Sequence, residues 1–193
     1  MGASLGEVVE SLRRSTVQVK VHPNGGGSGV IWSDDGLIVT NSHVVEAAAK
    51  WDPVMVEFSN GHRVTARIVK RDRYRDLAIL QMDASDLPPG GLPARLGDSR
   101  HLRVGEFVIA VGSPLGFTGA VSSGVVHRMD GFSEQPWVIS QLRLAPGNSG
   151  GPLANAQGQV IGINTLIVDG LAFAIPTHAI AEVMNTSGSV RAA

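Results

Sequence analysis

Ser149 stands in the run Pro146-Gly147-Asn148-Ser149-Gly150-Gly151-Pro152-Leu153, the segment of this chain most specific for chemistry. Glycines on both sides let the backbone turn tightly and bring the serine hydroxyl to an open surface. They also let a substrate carbonyl approach the N–H groups of Gly147 and Ser149. Two converging donors of that kind form an oxyanion hole, each worth about 2.7–4 kcal/mol of transition-state stabilisation. The same run also reads as a plain glycine-rich hairpin turn, so the serine needs partners.

A serine nucleophile requires a base. The histidines are His22, His43, His62, His101, His127 and His178. His43 follows the apolar run Leu37-Ile38-Val39-Thr40, so a strand delivers it to the first turn of a short helical patch, Ser42–Lys50. The other five fall in turns, on polar strand faces or near the C-terminus and read as surface or core residues. The base in turn needs an orienting carboxylate, buried and held by a strand. Asp76 directly precedes the apolar run Leu77-Ala78-Ile79-Leu80. Asp72 is its nearest rival, in the polar segment Arg71–Arg75. Asp76 also reads as a strand-start cap or as an ion partner of Arg73 or Arg75.

The elements around these residues are mostly strands. Thr16–Val21 alternates apolar and polar residues with period two. Further strands are expected at Ser28–Trp32, Leu37–Thr40, Val54–Phe58, Arg63–Val69, Leu77–Met82, Glu106–Val111, Ala120–Arg128, Trp137–Leu142, Gln159–Asn164 and Leu171–Ile175. Another follows Pro152. Ser33-Asp34-Asp35-Gly36 is a hairpin signal, and His22–Gly27 reads as a turn. Leu5, Val8, Val9 and Leu12 form one apolar helical stripe, with Ser4 and Glu7 at capping-box spacing. Pro176–Met184 reads as a closing helix with proline in its first turn, and Asn185–Ala193 as a frayed tail.

Composition sets the bounds. The 193 residues include 24 glycines and 10 prolines, which favours many short strands. One domain fits this length. Lys and Arg number 16 against 17 Asp and Glu, a net charge of −1, so no electrostatic footprint for nucleic acid appears. Cysteine is absent, which excludes disulfide scaffolds, thiol nucleophiles, zinc fingers and iron–sulfur clusters. No apolar run approaches a membrane span, and Met1–Thr16 has no apolar core of a signal peptide.

Together these segments resemble the HtrA (Deg) family of trypsin-like serine proteases, from about Val17 to Ile180. The markers are Gly27–Val45, Arg75–Leu80, Val111–Val126, PGNSGGPL, Gly158–Asn164 and Phe173–Pro176, with His, Asp and Ser in the family's chain order. The resemblance implies an all-β double six-stranded barrel with short N- and C-terminal helices. The N-terminal barrel is expected at about 14–97, the C-terminal barrel at about 98–176 and the closing helix at about 176–185. It implies His43, Asp76 and Ser149 as catalytic residues, and Gly147, Asn148 and Ser149 around the oxyanion hole. Peptide bonds of unfolded or misfolded polypeptides would be cleaved through an acyl-enzyme, with no metal or cofactor.

The chain departs from the family pattern before the serine. Gln141, Leu142 and Arg143 replace an acidic residue and small residues in the segment that forms the activation loop and pocket wall. Arg143, six residues before Ser149, occupies the position of the pocket base in trypsin-like enzymes, so cationic substrates are disfavoured. Leu144, Ile167 and Val168, with Thr165 at the head of a short Thr165–Gly170 loop, are implied as an apolar pocket for small or medium aliphatic residues. A minority reading turns Arg143 into the pocket to favour an acidic residue. Seventeen residues follow Pro176, too few for the PDZ domain that commonly comes next. Residues 1–31 contain no aromatic residue of the kind family trimers use, which leaves monomer and trimer open. The family favours an extracytoplasmic location.

Three rivals are weaker. Gly147–Gly151 satisfies the G-x-S-x-G elbow of α/β-hydrolases, with Asp169 and His178 in chain order, but that elbow needs a helix after the serine. His43-Val44-Val45-Glu46-Ala47 lacks the second histidine of a zincin-type site. Gly25–Gly29 lacks the lysine of a phosphate loop. The serious alternative is a binding or chaperone module for unfolded chains with a poorly activated protease site.

Overall fold

The computed structural model describes residues 4–21, 25–48, 53–130 and 135–185. Helix α1 (Leu5–Ser15) is opened by a complete capping box: Ser4 Oγ accepts from Glu7 N–H, and Glu7 Oε2 accepts from Ser4 N–H at 2.7 Å. Six strands follow: β1 (Thr16–Val21), β2 (Gly25–Ile31), β3 (Leu37–Thr40), β4 (Val54–Phe58), β5 (Arg63–Asp72) and β6 (Leu77–Gln81). They close antiparallel in the order β1-β2-β3-β6-β5-β4. A second closed barrel, β10-β11-β12-β9-β8-β7, comprises β7 (Phe107–Gly112), β8 (Ala120–Asp130), β9 (Trp137–Gln141), β10 (Pro152–Asn155), β11 (Val160–Val168) and β12 (Leu171–Pro176). Helix α2 (Thr177–Asn185) closes the described chain.

Period-two alternation gives each barrel its core. Val17, Val19 and Val21 of β1 point inward with Ile31, Ile38, Val56 and Leu80. In the second barrel Val108, Ala110, Val126, Leu153 and Ile161 do the same. Strands with two buried faces join the halves. Val30, Val39 and Leu77 of the first barrel pack against Ile163 and Ile175 of the second, and Ala179, Ile180 and Val183 of α2 cover the seam. Helix α1 precedes the first barrel but buries Val8 and Leu12 on Ile109, Val111, Ala154 and Val160 of the second. The barrels are therefore held as one body by apolar contact from two helices and a shared seam.

Several boundaries differ from the sequence reading. The helical patch at Ser42–Lys50 is a single 3-10 turn, His43–Val45, followed by a turn; residues 49 and 50 lie outside the described residues. The turn read at His22–Gly27 is likewise outside at 22–24, whereas Gly25–Gly27 already belong to β2. The Thr165–Gly170 loop is absent as such: β11 continues to Val168, and Asp169 (φ 50°) and Gly170 (φ 79°) alone make the connection. Both residues are left-handed, the type I′ pattern that an Asp-Gly pair favours in a hairpin. Pro176 ends β12, paired with Gly162, and α2 begins at Thr177. Of the tail, residues 186–193 are outside the described residues.

Candidate active site

The first barrel supplies an imidazole and a carboxylate. Strand β3 ends at Thr40, and the 3-10 turn that follows holds His43 at its first position. Asp76 sits in the turn just before β6 with φ 53°, a left-handed conformation unusual for a residue with a side chain. It precedes the strand, as the sequence reading has it, but its side chain is 27 % exposed rather than buried. The strain is held by three hydrogen bonds. Ser42 N–H and Asn41 Nδ2 donate to the Asp76 carbonyl at 3.1 and 2.9 Å, and His43 N–H donates to Asp76 Oδ1 at 2.9 Å. The other carboxylate oxygen, Oδ2, lies 2.7 Å from His43 Nδ1. An ionised carboxylate only accepts, so the imidazole proton sits on Nδ1 and the lone pair on Nε2. This hydrogen bond to Asp76, with the charge of the carboxylate, raises the His43 pKa above 6.5 against the opposing effect of burial.

Of the rival readings of Asp76, the pairing with Arg75 is not seen. Arg75 pairs with Asp72, through Nη1 at 3.1 Å and through its backbone N–H at 3.0 Å, and not with Asp76. Three of the remaining histidines face other partners. His178 bonds Ser99 Oγ at 2.8 Å, His101 lies 3.0 Å from Asp98, and His62 packs near Phe58. His127 is exposed and His22 is outside the described residues. The α/β-hydrolase rival fails because strand β10, not a helix, follows Ser149.

The second barrel supplies the serine on two consecutive turns. Asn148 N–H donates to the Ala145 carbonyl at 3.0 Å, closing a turn with Pro146 second and Gly147 third. Gly147 has φ 105°, so this is the type II pattern that Pro-Gly favours. Gly151 N–H then donates to the Asn148 carbonyl at 3.0 Å, with Gly150 (φ 85°) in the third position. A Cβ on Gly147 would stand 2.4 Å from the Ser113 carbonyl oxygen, and one on Gly150 2.0 Å from that of Ser28. Asn148, nearly buried, also donates Nδ2 to the Ala145 carbonyl at 3.1 Å. Among the described residues nothing accepts from the N–H of Gly147 or of Ser149. The Ser149 hydroxyl donates to the Thr165 carbonyl at 3.1 Å.

Beside Ser149 lies a pocket of about 230 Å³ lined by Leu144, Ala145, Pro146, Asn148, Thr165, Leu166 and Ile167. Leu144, Thr165 and Ile167 were anticipated there. Arg143 and Val168 are not part of the lining. In the extended segment after β9, Leu142 is buried and Leu144 half-buried, which turns the intervening Arg143 to solvent. Val168 is the last residue of β11, paired with Leu171 at the hairpin tip and 45 % exposed. The contribution of Leu166 was missed. Leu166 and Ile167, which follow the register shift between Asn164 and Leu166, both line the pocket. Asn41 was also missed. Its amide bridges the Asp76 carbonyl and Thr165 Oγ1, the latter at 3.0 Å, across the two barrels.

Two closed six-stranded barrels with an Asp-bonded imidazole on one and a glycine-framed serine on the other define a class of hydrolase fold. The chain belongs to the family of the trypsin-like peptidase domain, whose family model matches residues 27–163. It is similar to the "Probable periplasmic serine endoprotease DegP-like" of Halomonas elongata, 40 % identical over 177 residues that cover 85 % of the chain and 36 % of that relative. The protein of the same name from Pseudomonas fulva is 38 % identical over 203 residues, covering 94 % and 41 %. Among solved structures, an HtrA-type protease AlgW with a tripeptide superposes with a TM-score of 0.85 at 31 % identity, over 95 % of this chain and 63 % of that one. A serine endoprotease from Yersinia pestis does so with 0.84 at 32 %, over 96 % and 67 %. The chain thus spans well under half the length of these curated relatives.

Proposed function

We propose that the chain is a serine endopeptidase that hydrolyses peptide bonds of unfolded or misfolded polypeptides through an acyl-enzyme, cleaving after small or medium aliphatic residues. The observation that carries the reading is the Asp76–His43 contact at 2.7 Å together with the N–H groups of Gly147 and Ser149, which have no acceptor among the described residues. In this reading Ser149 Oγ adds to the scissile carbonyl carbon and its proton passes to His43 Nε2. Asp76 holds the Nδ1–H tautomer and stabilises the imidazolium. The N–H groups of Gly147 and Ser149 hold the oxyanion, and Asn148, whose own N–H closes the turn, shapes the loop. Collapse breaks the C–N bond, and the leaving amine takes the proton from His43. Water, deprotonated by the same imidazole, then hydrolyses the ester and frees Ser149.

The Ser149 hydroxyl is bonded to the Thr165 carbonyl, so transfer of its proton to His43 requires it to leave that acceptor. The aliphatic preference rests on the pocket lining, which carries no charged side chain. Relatives named periplasmic support an extracytoplasmic location. A second reading, capture of unfolded chains without turnover, draws on the Ser149 proton being engaged by Thr165. Casein turnover separates the two: aggregation suppression without Ser149-dependent cleavage favours capture. The direct test is Ser149→Ala, which is expected to abolish fluorophosphonate labelling and to lower turnover by on the order of 10⁶-fold. Labelling retained in that variant overturns the assignment.

A further inference from the structure

The reading above requires a nucleophile on one barrel to meet a base on the other, and a buried residue outside the catalytic set connects them. Ser28 lies on β2 of the first barrel and is fully buried. Its Oγ donates to the Gly147 carbonyl at 2.7 Å and accepts from Ser113 N–H at 2.9 Å. Its backbone N–H donates to the Ser149 carbonyl at 2.8 Å. Its own carbonyl accepts from Thr40 Oγ1 at 2.6 Å. Thr40 ends β3, the strand that delivers His43 three residues later.

These bonds form a short continuous path. It runs from the His43 turn through Thr40 to Ser28, and from Ser28 to the carbonyls on either side of the Asn148–Ser149 peptide. That peptide carries one of the two N–H groups with no acceptor among the described residues. With the Gly147 and Ser149 carbonyls held from the first barrel, the turn bearing the nucleophile cannot slide relative to the imidazole. The Ser28 hydroxyl is suited to this task because it donates and accepts at once, and both partners sit in the second barrel. An alanine there would leave the Gly147 carbonyl with only the longer contact from Ser113 N–H, at 3.3 Å.

We propose that Ser28 is a positioning residue, acting through its hydroxyl to register the Gly147–Ser149 turn of the second barrel against His43 of the first. It touches no substrate atom. The inference rests on the serine endopeptidase reading and adds a residue to it.

The test compares Ser28→Ala and the isosteric Thr40→Val with wild type, each corrected for active sites by fluorophosphonate titration. Misplacing reacting groups by about 1 Å costs up to 10²-fold, so Ser28→Ala is expected to lower kcat by about 10- to 100-fold. KM should stay within about twofold because the pocket is untouched, and Thr40→Val should show a smaller kcat loss of the same kind. The pH midpoint of kcat/KM should not move, since the Asp76–His43 bond is intact. A kcat per active site within about twofold of wild type in Ser28→Ala, or a loss confined to KM, overturns the proposal. Should Ser28→Ala fail to fold, Ser28→Cys, which keeps the shape but replaces the hydroxyl by a weak donor and acceptor, decides: an unchanged kcat overturns the proposal, and a lower kcat at unchanged KM supports it. A wild-type protein that neither labels nor cleaves defeats the endopeptidase reading instead, a distinct outcome.

Discussion

The two barrels build their shares of the site from different material. On the first, the working parts are side chains: a carboxylate, an imidazole and the Asn41 amide, held by a left-handed Asp76. On the second, beside the Ser149 hydroxyl, they are backbone: two N–H groups with no acceptor among the described residues, set by turns that leave no room for a Cβ at Gly147 or Gly150. Side-chain chemistry carries a charge that titrates, so the first half responds to pH. Peptide dipoles do not titrate, so the second half responds to shape. A substitution in each half should therefore fail in a recognisably different way.

The largest such contrast lies between Asp76 and Gly147. Asp76→Asn is expected to lower kcat by about 10⁴-fold, because the amide stabilises the wrong tautomer while keeping the shape. Gly147→Ala is expected to lower kcat by about 10²- to 10³-fold, by forcing a Cβ toward the Ser113 carbonyl and turning one donor away. The two should separate in pH–rate profiles: only Asp76→Asn should move the midpoint. An equal shift from Gly147→Ala would break the division between the halves.

The sign of the pH effect follows from the raised His43 pKa. The imidazole is a base only when neutral, so the acid limb of wild-type kcat/KM should lie above pH 6.5, and Asp76→Asn should lower it. The same shift ties stability to pH. The protonated His43–Asp76 pair supports the fold fully below the ordinary imidazole value, and that support is lost as pH rises through the raised one. Asp76→Asn should thus depress Tm more at about pH 5.5 than at about pH 8.5. The smallest effect belongs to Arg143, which faces solvent outside the pocket. Arg143→Ala should change the ratio of kcat/KM between aliphatic and acidic P1 peptides by less than about twofold. A larger loss for acidic peptides would return the guanidinium to the pocket.

Much of the scaffold was legible because strand periodicity is local. β1 falls at the residues read from alternation, β3 and β4 at the residues expected for strands, and α1 begins at the capping box read from Ser4 and Glu7. The pocket was less legible. Its wall lies on a segment read as a loop, which the Asp169-Gly170 turn makes a strand as far as Val168. The Asp-Gly pair was the available signal for that hairpin. Nothing local marked Asn41, because its partners Asp76 and Thr165 lie 35 and 124 residues away.

The sequence by itself determined the candidate residues and the turns that carry them. Proline followed by glycine favours a type II turn whatever surrounds it, and a serine among glycines stays open. Only the tertiary structure decided which oxygen faces which nitrogen. The proton position on His43 depends on a carboxylate 33 residues away, and the register of Ser149 depends on a hydroxyl from the opposite barrel. Such contacts join distant stretches of chain through closed sheets, and their geometry exists only once both barrels have formed and packed along their shared seam.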